Sequence, residues 1–257
     1  MSEEQPLILV TNDDGITAPG IAATVEVMKK LGKVVVVAPD SPQSGMGHAI
    51  TINKPLRLDK NHQFGPDVDS YQCSGTPADC VKLAVDKVLH RKPDLLVSGV
   101  NHGSNSSINV IYSGTMSAAV EGAIEGITAI GFSLLDFSWD ADFEASKVFM
   151  HKVASNVLKH GLTNGTLLNV NIPKGDLSEI KGIKICRQAR AKWVEEFDQR
   201  QDPYGRNYFW LTGKFNNLDK GEDTDEWALA NNYVSVVPVQ FDLTAHHAIG
   251  NLNTWDL

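Results

Sequence analysis

The sequence has only three cysteines in 257 residues: Cys73, Cys80 and Cys186. They form no CxxC motif and cannot all pair within one chain. That excludes a disulfide scaffold and a thiolate zinc site, and it makes reduced thiols in a cytoplasmic protein the expectation. No run of about 18 apolar residues exists to cross a bilayer. The opening MSEEQP has neither the basic nor the apolar segment of a signal peptide. Lys and Arg number 23 against 31 Asp and Glu, a formal net charge of −8. That deficit of positive charge disfavours duplex nucleic acid and anionic membrane surfaces as partners. It leaves room for a small phosphorylated ligand, because a bound cation reverses the local field. The usual phosphate loops are missing as well. GITAPG (15–20) spaces its glycines as a P-loop does, but Ile21 and Ala22 stand where Lys and Ser/Thr are required. A dinucleotide fingerprint would need glycine where Thr17 stands.

What the chain does have is alternation. Buried-strand runs at 7–11, 33–39 (KVVVVAP), 94–99 (DLLVSG), 127–135 and 166–173 are separated by helical patterns. A helix is expected over 19–31, with Ile21, Val25 and Met28 on one face and Gly32 as its stop. Another starts at Thr76, with Pro77 at its first position and Asp79 completing a capping box. A third begins near GTMSAAVEGAIEG, and a fourth over 142–160 spaces Phe149, Val153 and Val157 four apart. ITINKPLRL (50–58) alternates weakly and reads as edge strands. The fold class expected is α/β, a Rossmann-like three-layer sandwich with a mostly parallel sheet over residues 1–180. From 181 the texture changes. AKWVEEFDQRQDPYGRNYFWL suggests a long polar-tipped hairpin near 190–212, followed by one more strand in NNYVSVVPVQFDL and a short polar tail. Residues 181–257 are thus expected as a C-terminal extension.

Ligands of open parallel sheets bind outside the carboxyl ends of the strands. Three loops at that edge are rich in Asp, Asn, Ser and Gly: NDDG (12–15), DSPQSGMGH (40–48) and SGVNHGSN (98–105). If they converge, Asp13, Asp14, Ser44 and Asn101 form an all-oxygen set of the kind that selects Mg²⁺, Mn²⁺ or Ca²⁺. Adjacent strand residues point to opposite faces. Both aspartates therefore reach one ion only if the chain turns at Gly15, which permits such a turn. The plainer reading is a polar Asx-Gly turn. Ser113, Gly114 and Thr115 open a helix, where free amides and the dipole favour a phosphate; the plainer reading makes Thr115 the N-cap. His48 reads as a hydrogen-bonding bystander, Tyr112 and Phe137 as core residues, and His246–His247 carries no assigned chemistry.

Taken together, ILVTNDDGITAPGI, VVVVAPDSPQSGMGHAIT, CSGTPADCVKLA, PDLLVSGVNHGSN and YSGTMSAAVEGA resemble, in order, the SurE family of survival-protein nucleotidases. DTDEWALANNYVSVVPV is similar to the C-terminal strand region of that family. The resemblance implies a phosphomonoesterase acting on nucleoside 5′-monophosphates, and leaves 3′-monophosphates and short polyphosphate open. It implies one divalent ion per subunit, Mg²⁺ or Mn²⁺, on Asp13, Asp14, Ser44 and Asn101. It also implies a C-terminal arm that builds homodimers or homotetramers. Asp13 and Asp14 are then the catalytic pair, with Asn12, Ser113, Gly114 and Thr115 holding phosphoryl oxygens. Attack by water is favoured over covalent attack by an aspartate, because covalent phosphatases space their aspartates as DxD. The general acid stays open among Asp13, Asp14 and His48. Rival readings are a nucleotide-binding module without turnover and a nucleotide-sugar-dependent transferase.

Overall fold

The structure, a computed structural model, describes residues 5–256. Its core is a nine-stranded sheet. In chain order the strands are β1 (Leu7–Thr11), β2 (Lys33–Pro39), β3 (Leu58–Asn61), β4 (Asp69–Cys73), β5 (Leu95–His102), β6 (Ala129–Leu134), β7 (Thr166–Ile172), β8 (Ile183–Ile185) and β11 (Val234–Gln240). They lie side by side as β3-β4-β2-β1-β5-β6-β7-β11-β8. The six from β4 to β7 are mutually parallel, whereas β3 and β11 join antiparallel. The uniformly aliphatic runs in β1, β2 and β5 follow from cover on both faces. One face packs α1 (Pro19–Met28) and α4 (Glu144–His160) through Ile8, Val10, Ile21 and Phe149. The opposite face packs α2 (Pro77–Leu83) and α3 (Gly114–Ile124) through Leu9, Val37, Val81 and Met116.

The chain runs outward from β1 to β2 and β4 on one side, then returns to β5 on the other. The order therefore reverses between β1 and β5, and a crevice at their carboxyl ends is the natural ligand site. The loop after β1 carries Asp13–Asp14, and Asn101 stands at the carboxyl end of β5.

Several sequence expectations need correction. Residues 50–57 form no strand, and only Leu58–Asn61 pairs with β4. The capping box of α2 claims that backbone instead: the Thr51 amide donates to Asp79 Oδ1 (3.0 Å) and the Thr76 hydroxyl to the Ala49 carbonyl (2.7 Å). Helix α1 ends at Met28 rather than residue 31, with the Gly32 amide closing onto the Met28 carbonyl (3.0 Å). Two strands from beyond residue 181, β8 and β11, complete the main sheet. Of the strands beyond 181, only the hairpin pair stands outside that sheet. The hairpin is β9 (Ala191–Gln201) paired antiparallel with β10 (Asn207–Asn217). Two short helices follow, α5 (Asp225–Ala230) before β11 and α6 (His246–Leu252) in the polar tail. Asp225 is fully buried and accepts the amides of Ser107 (2.7 Å) and Ala189 (2.9 Å). It thereby pins the start of α5 beside the loop after β5.

Candidate active site

The strand ends at Thr11, and the chain turns where Gly15 takes φ +95°. The Asn12 side-chain amide braces this turn on the Gly15 carbonyl (2.8 Å). The second loop is stitched to the first, with the Gln43 amide donating to the Asp13 carbonyl (2.7 Å). The Gly47 amide reaches the Tyr112 carbonyl (3.2 Å), which joins the same loop to the segment before α3. The three loops thus meet around a cavity of about 410 Å³ lined by Asp13, Ser44, Asn101 and Ser113, among others.

Asp13 is buried at the N-terminus of α3. Its Oδ1 accepts the Thr115 hydroxyl, and its side chain packs against Gly114, where a Cβ would stand 2.7 Å from Asp13 Cβ. The N-cap of α3 is Ser113, whose Oγ accepts the Met116 amide (3.0 Å); Thr115, expected as the cap, binds Asp13 instead. Asp14 Oδ2 accepts the His102 amide (3.2 Å), tying the paired aspartates to β5. Asn101 donates its amide nitrogen to the Gly103 carbonyl (2.9 Å), which leaves its amide oxygen for a cation.

Burial raises the Asp13 pKa from 3.8 to about 6, and the neighbouring Asp14 charge adds to the effect. Burial also raises that of Asp14, opposed by the His102 amide. Two partly desolvated carboxylates side by side carry a cost that a dication would remove. Among the described residues no group of three or more His, Cys, Asp or Glu comes together as a metal site. This set has only two carboxylates and is completed by neutral oxygens. A hard divalent ion fits such donors, and zinc does not.

A family model described as Survival protein SurE matches residues 8–195. The chain belongs to the SurE family. A 5′-nucleotidase SurE from Flavobacterium johnsoniae is 67% identical over 257 residues, covering 100% of this chain and 99% of the relative. Another, from Phocaeicola vulgatus, is 45% identical over 258 residues, covering 100% and 99%. Among solved structures, the SurE protein of Aquifex aeolicus superposes with a TM-score of 0.84 at 40% identity, covering 97% of this chain and 99% of that one.

In this SurE-family chain the remaining expected residues fall less centrally. His48 is engaged by Glu121 (2.8 Å), whose other oxygen takes Lys82 (2.6 Å), and it does not line the cavity. Tyr112 and Phe137, expected in the core, are 54% and 83% exposed and form part of the cavity wall. The three cysteines are buried and form no disulfide. Sequence reasoning missed the hairpin's contribution: Trp193 and Phe215 pack at 5.6 Å between ring centroids and line the cavity, with Trp193 Nε1 held by Asn109 Oδ1 (2.8 Å). It also missed Asn105, whose side chain reaches Ser133 (2.8 Å) and whose backbone is clasped by Asn169 and Asn171, all buried. The visible signal was two asparagines two apart in β7, on one face of an otherwise aliphatic strand.

The raised Asp13 pKa has a stability consequence. A carboxyl that titrates near 6 folded and near 3.8 unfolded contributes stability below pH 3.8, which is lost as pH rises through 6. In EDTA at pH 7, Asp13→Asn is therefore expected to be more stable than wild type by about 3 kcal/mol. Urea midpoints should converge as pH falls toward 4; parallel curves at every pH would show that Asp13 carries no such cost.

Proposed function

We propose that this protein is a divalent-metal-dependent phosphomonoesterase hydrolysing nucleoside 5′-monophosphates to nucleoside and phosphate, with 3′-monophosphates and short polyphosphate as further substrates. The observation that carries this reading is Asp13, buried beside Asp14 at the sheet's switch point and facing the start of α3. The names of the relatives support the substrate class. The oxygens of Asp13, Asp14, Ser44 and Asn101 would hold one Mg²⁺ or Mn²⁺. When bound, that ion supplies the positive charge that offsets the two carboxylates and the phosphoryl oxygens.

The chain's own groups do the positioning. Thr115 and the His102 amide fix the two aspartates in rotation. The Gly114 amide, first in α3 and without an intrahelical acceptor, is left for the phosphoryl group, with the Ser113 hydroxyl beside it, while Thr115 serves Asp13 and the Met116 amide the Ser113 cap. Asn12 holds the turn that carries both aspartates, its side-chain amide being spent on the Gly15 carbonyl. Trp193 and Phe215, packed edge to face, supply apolar aromatic surface for a base. Exposed Phe197, Trp210 and Leu211 on the hairpin support its use as a homodimer or homotetramer contact. Among the described residues no helix is long and apolar enough to cross a membrane.

The test is inorganic phosphate release from 5′- and 3′-nucleoside monophosphates and tripolyphosphate with Mg²⁺, Mn²⁺ or EDTA. Release from the 5′ esters that EDTA abolishes supports the reading. Release indifferent to EDTA overturns the metal requirement, and no release from any ester overturns the enzyme.

A further inference from the structure

Beyond the residues assigned to ion and phosphate, the cavity is lined by a further carboxylate, Glu226 in α5. A carboxylate repels a phosphate, so this one suits a different part of the ligand. Its Oε1 accepts the Ser106 hydroxyl (2.5 Å), which in turn lies 2.6 Å from the Ser104 hydroxyl. Among the described residues Glu226 Oε2 has no hydrogen-bond partner. The side chain is thus fixed at one oxygen and open at the other. Its setting is partly desolvated: burial raises its pKa above the usual 4.5, and the neighbouring Asp225 charge adds to this. Asp225 in turn anchors the start of the helix, through the amides of Ser107 and Ala189.

We infer that Glu226 is the residue that recognises the ribose, its free oxygen accepting hydrogen bonds from the sugar hydroxyls while Trp193 and Phe215 face the base. This rests on the nucleoside monophosphate reading above. A carboxylate only accepts, and a cis-diol offers two donors on adjacent carbons. The one Ser106 proton goes to Glu226, and Ser104 donates to Ser106 or Asn171, so the donors for the free oxygen must come from the ligand. An acidic side chain on ribose hydroxyls is the same solution that dinucleotide-binding folds use, reached here from a C-terminal helix.

The test compares kcat/KM for adenosine 5′-monophosphate and its 2′,3′-dideoxy analogue in wild type, Glu226→Ala and Glu226→Gln. Taking the ratio within each variant cancels any loss of folded or active protein. Wild type is expected to favour the ribonucleotide by about 10- to 100-fold, the scale of a hydrogen bond to a charged acceptor. Glu226→Ala should bring the ratio within about twofold of unity. Glu226→Gln, isosteric and still an acceptor, should fall between. A wild-type ratio near unity overturns the inference, and so does a ratio that survives in Glu226→Ala. A variant that changes preference among bases at a constant sugar ratio overturns it as well, placing Glu226 on the base. If wild type releases phosphate from neither nucleotide, the nucleotidase reading itself has failed.

Discussion

Asp13→Asn is expected to lower phosphate release from nucleoside 5′-monophosphates by at least about a thousandfold while leaving the fold intact and, without metal, more stable. Removing one of two anionic ligands strips the ion site of half its charge. The amide that replaces it is a weaker, neutral donor. Asparagine has nearly the same shape, so the Thr115 hydroxyl keeps an acceptor and Gly114 keeps its close neighbour. What changes is charge, and charge is also what makes Asp13 costly to bury. Activity and stability should therefore move in opposite directions, a trade-off common at functional sites. Steady-state phosphate release and thermal melting on the same preparation check both halves. A variant that loses activity because it unfolds would contradict this account.

The second large effect is expected at Gly114. A Cβ there would stand 2.7 Å from Asp13 Cβ and 2.9 Å from Asp13 Oδ2, closer than real side chains approach. Gly114 opens α3 in an ordinary helical conformation, so alanine suits the backbone and only the space is wrong. Either the helix start or Asp13 must move by several tenths of an ångström. Because catalysis tolerates little misplacement, Gly114→Ala is expected to reduce kcat/KM by about a hundredfold and to weaken Mn²⁺ binding. Stability should fall only modestly. Retention of wild-type kcat/KM would mean that the contact between α3 and Asp13 does not set the geometry of the site.

The central strands and helices were readable because each signal was local and dense. Four consecutive valines in β2, the aliphatics of β1 and the small residues of α3 admit few other placements. The candidate ion-site residues were proposed for a related reason: they lie in the loops after β1 and β2 and at the end of β5, at an edge that the topology makes the binding edge. The far wall of the cavity was not readable. Trp193, Phe215 and Glu226 reach it across long sequence separations, and an aromatic in a hairpin looks the same whether it faces solvent, a partner or a ligand. Tyr112 and Phe137 failed for that reason too, since aromatics are buried more often than not and only the fold shows which ones line an opening. The 50–57 segment went wrong through competition. Its weak alternation lost to a specific hydrogen bond from the α2 capping box, which no propensity reports.

The central claim is that the paired aspartates hold a divalent cation. Its most direct measurement is Mn²⁺ binding, followed by the electron paramagnetic resonance of the free ion, to wild type and Asp13→Asn near pH 7.5. The account predicts one ion per chain for wild type, and no saturable binding in the variant at a hundred times the wild-type Kd. Undiminished binding by Asp13→Asn, or none by wild type, would contradict it.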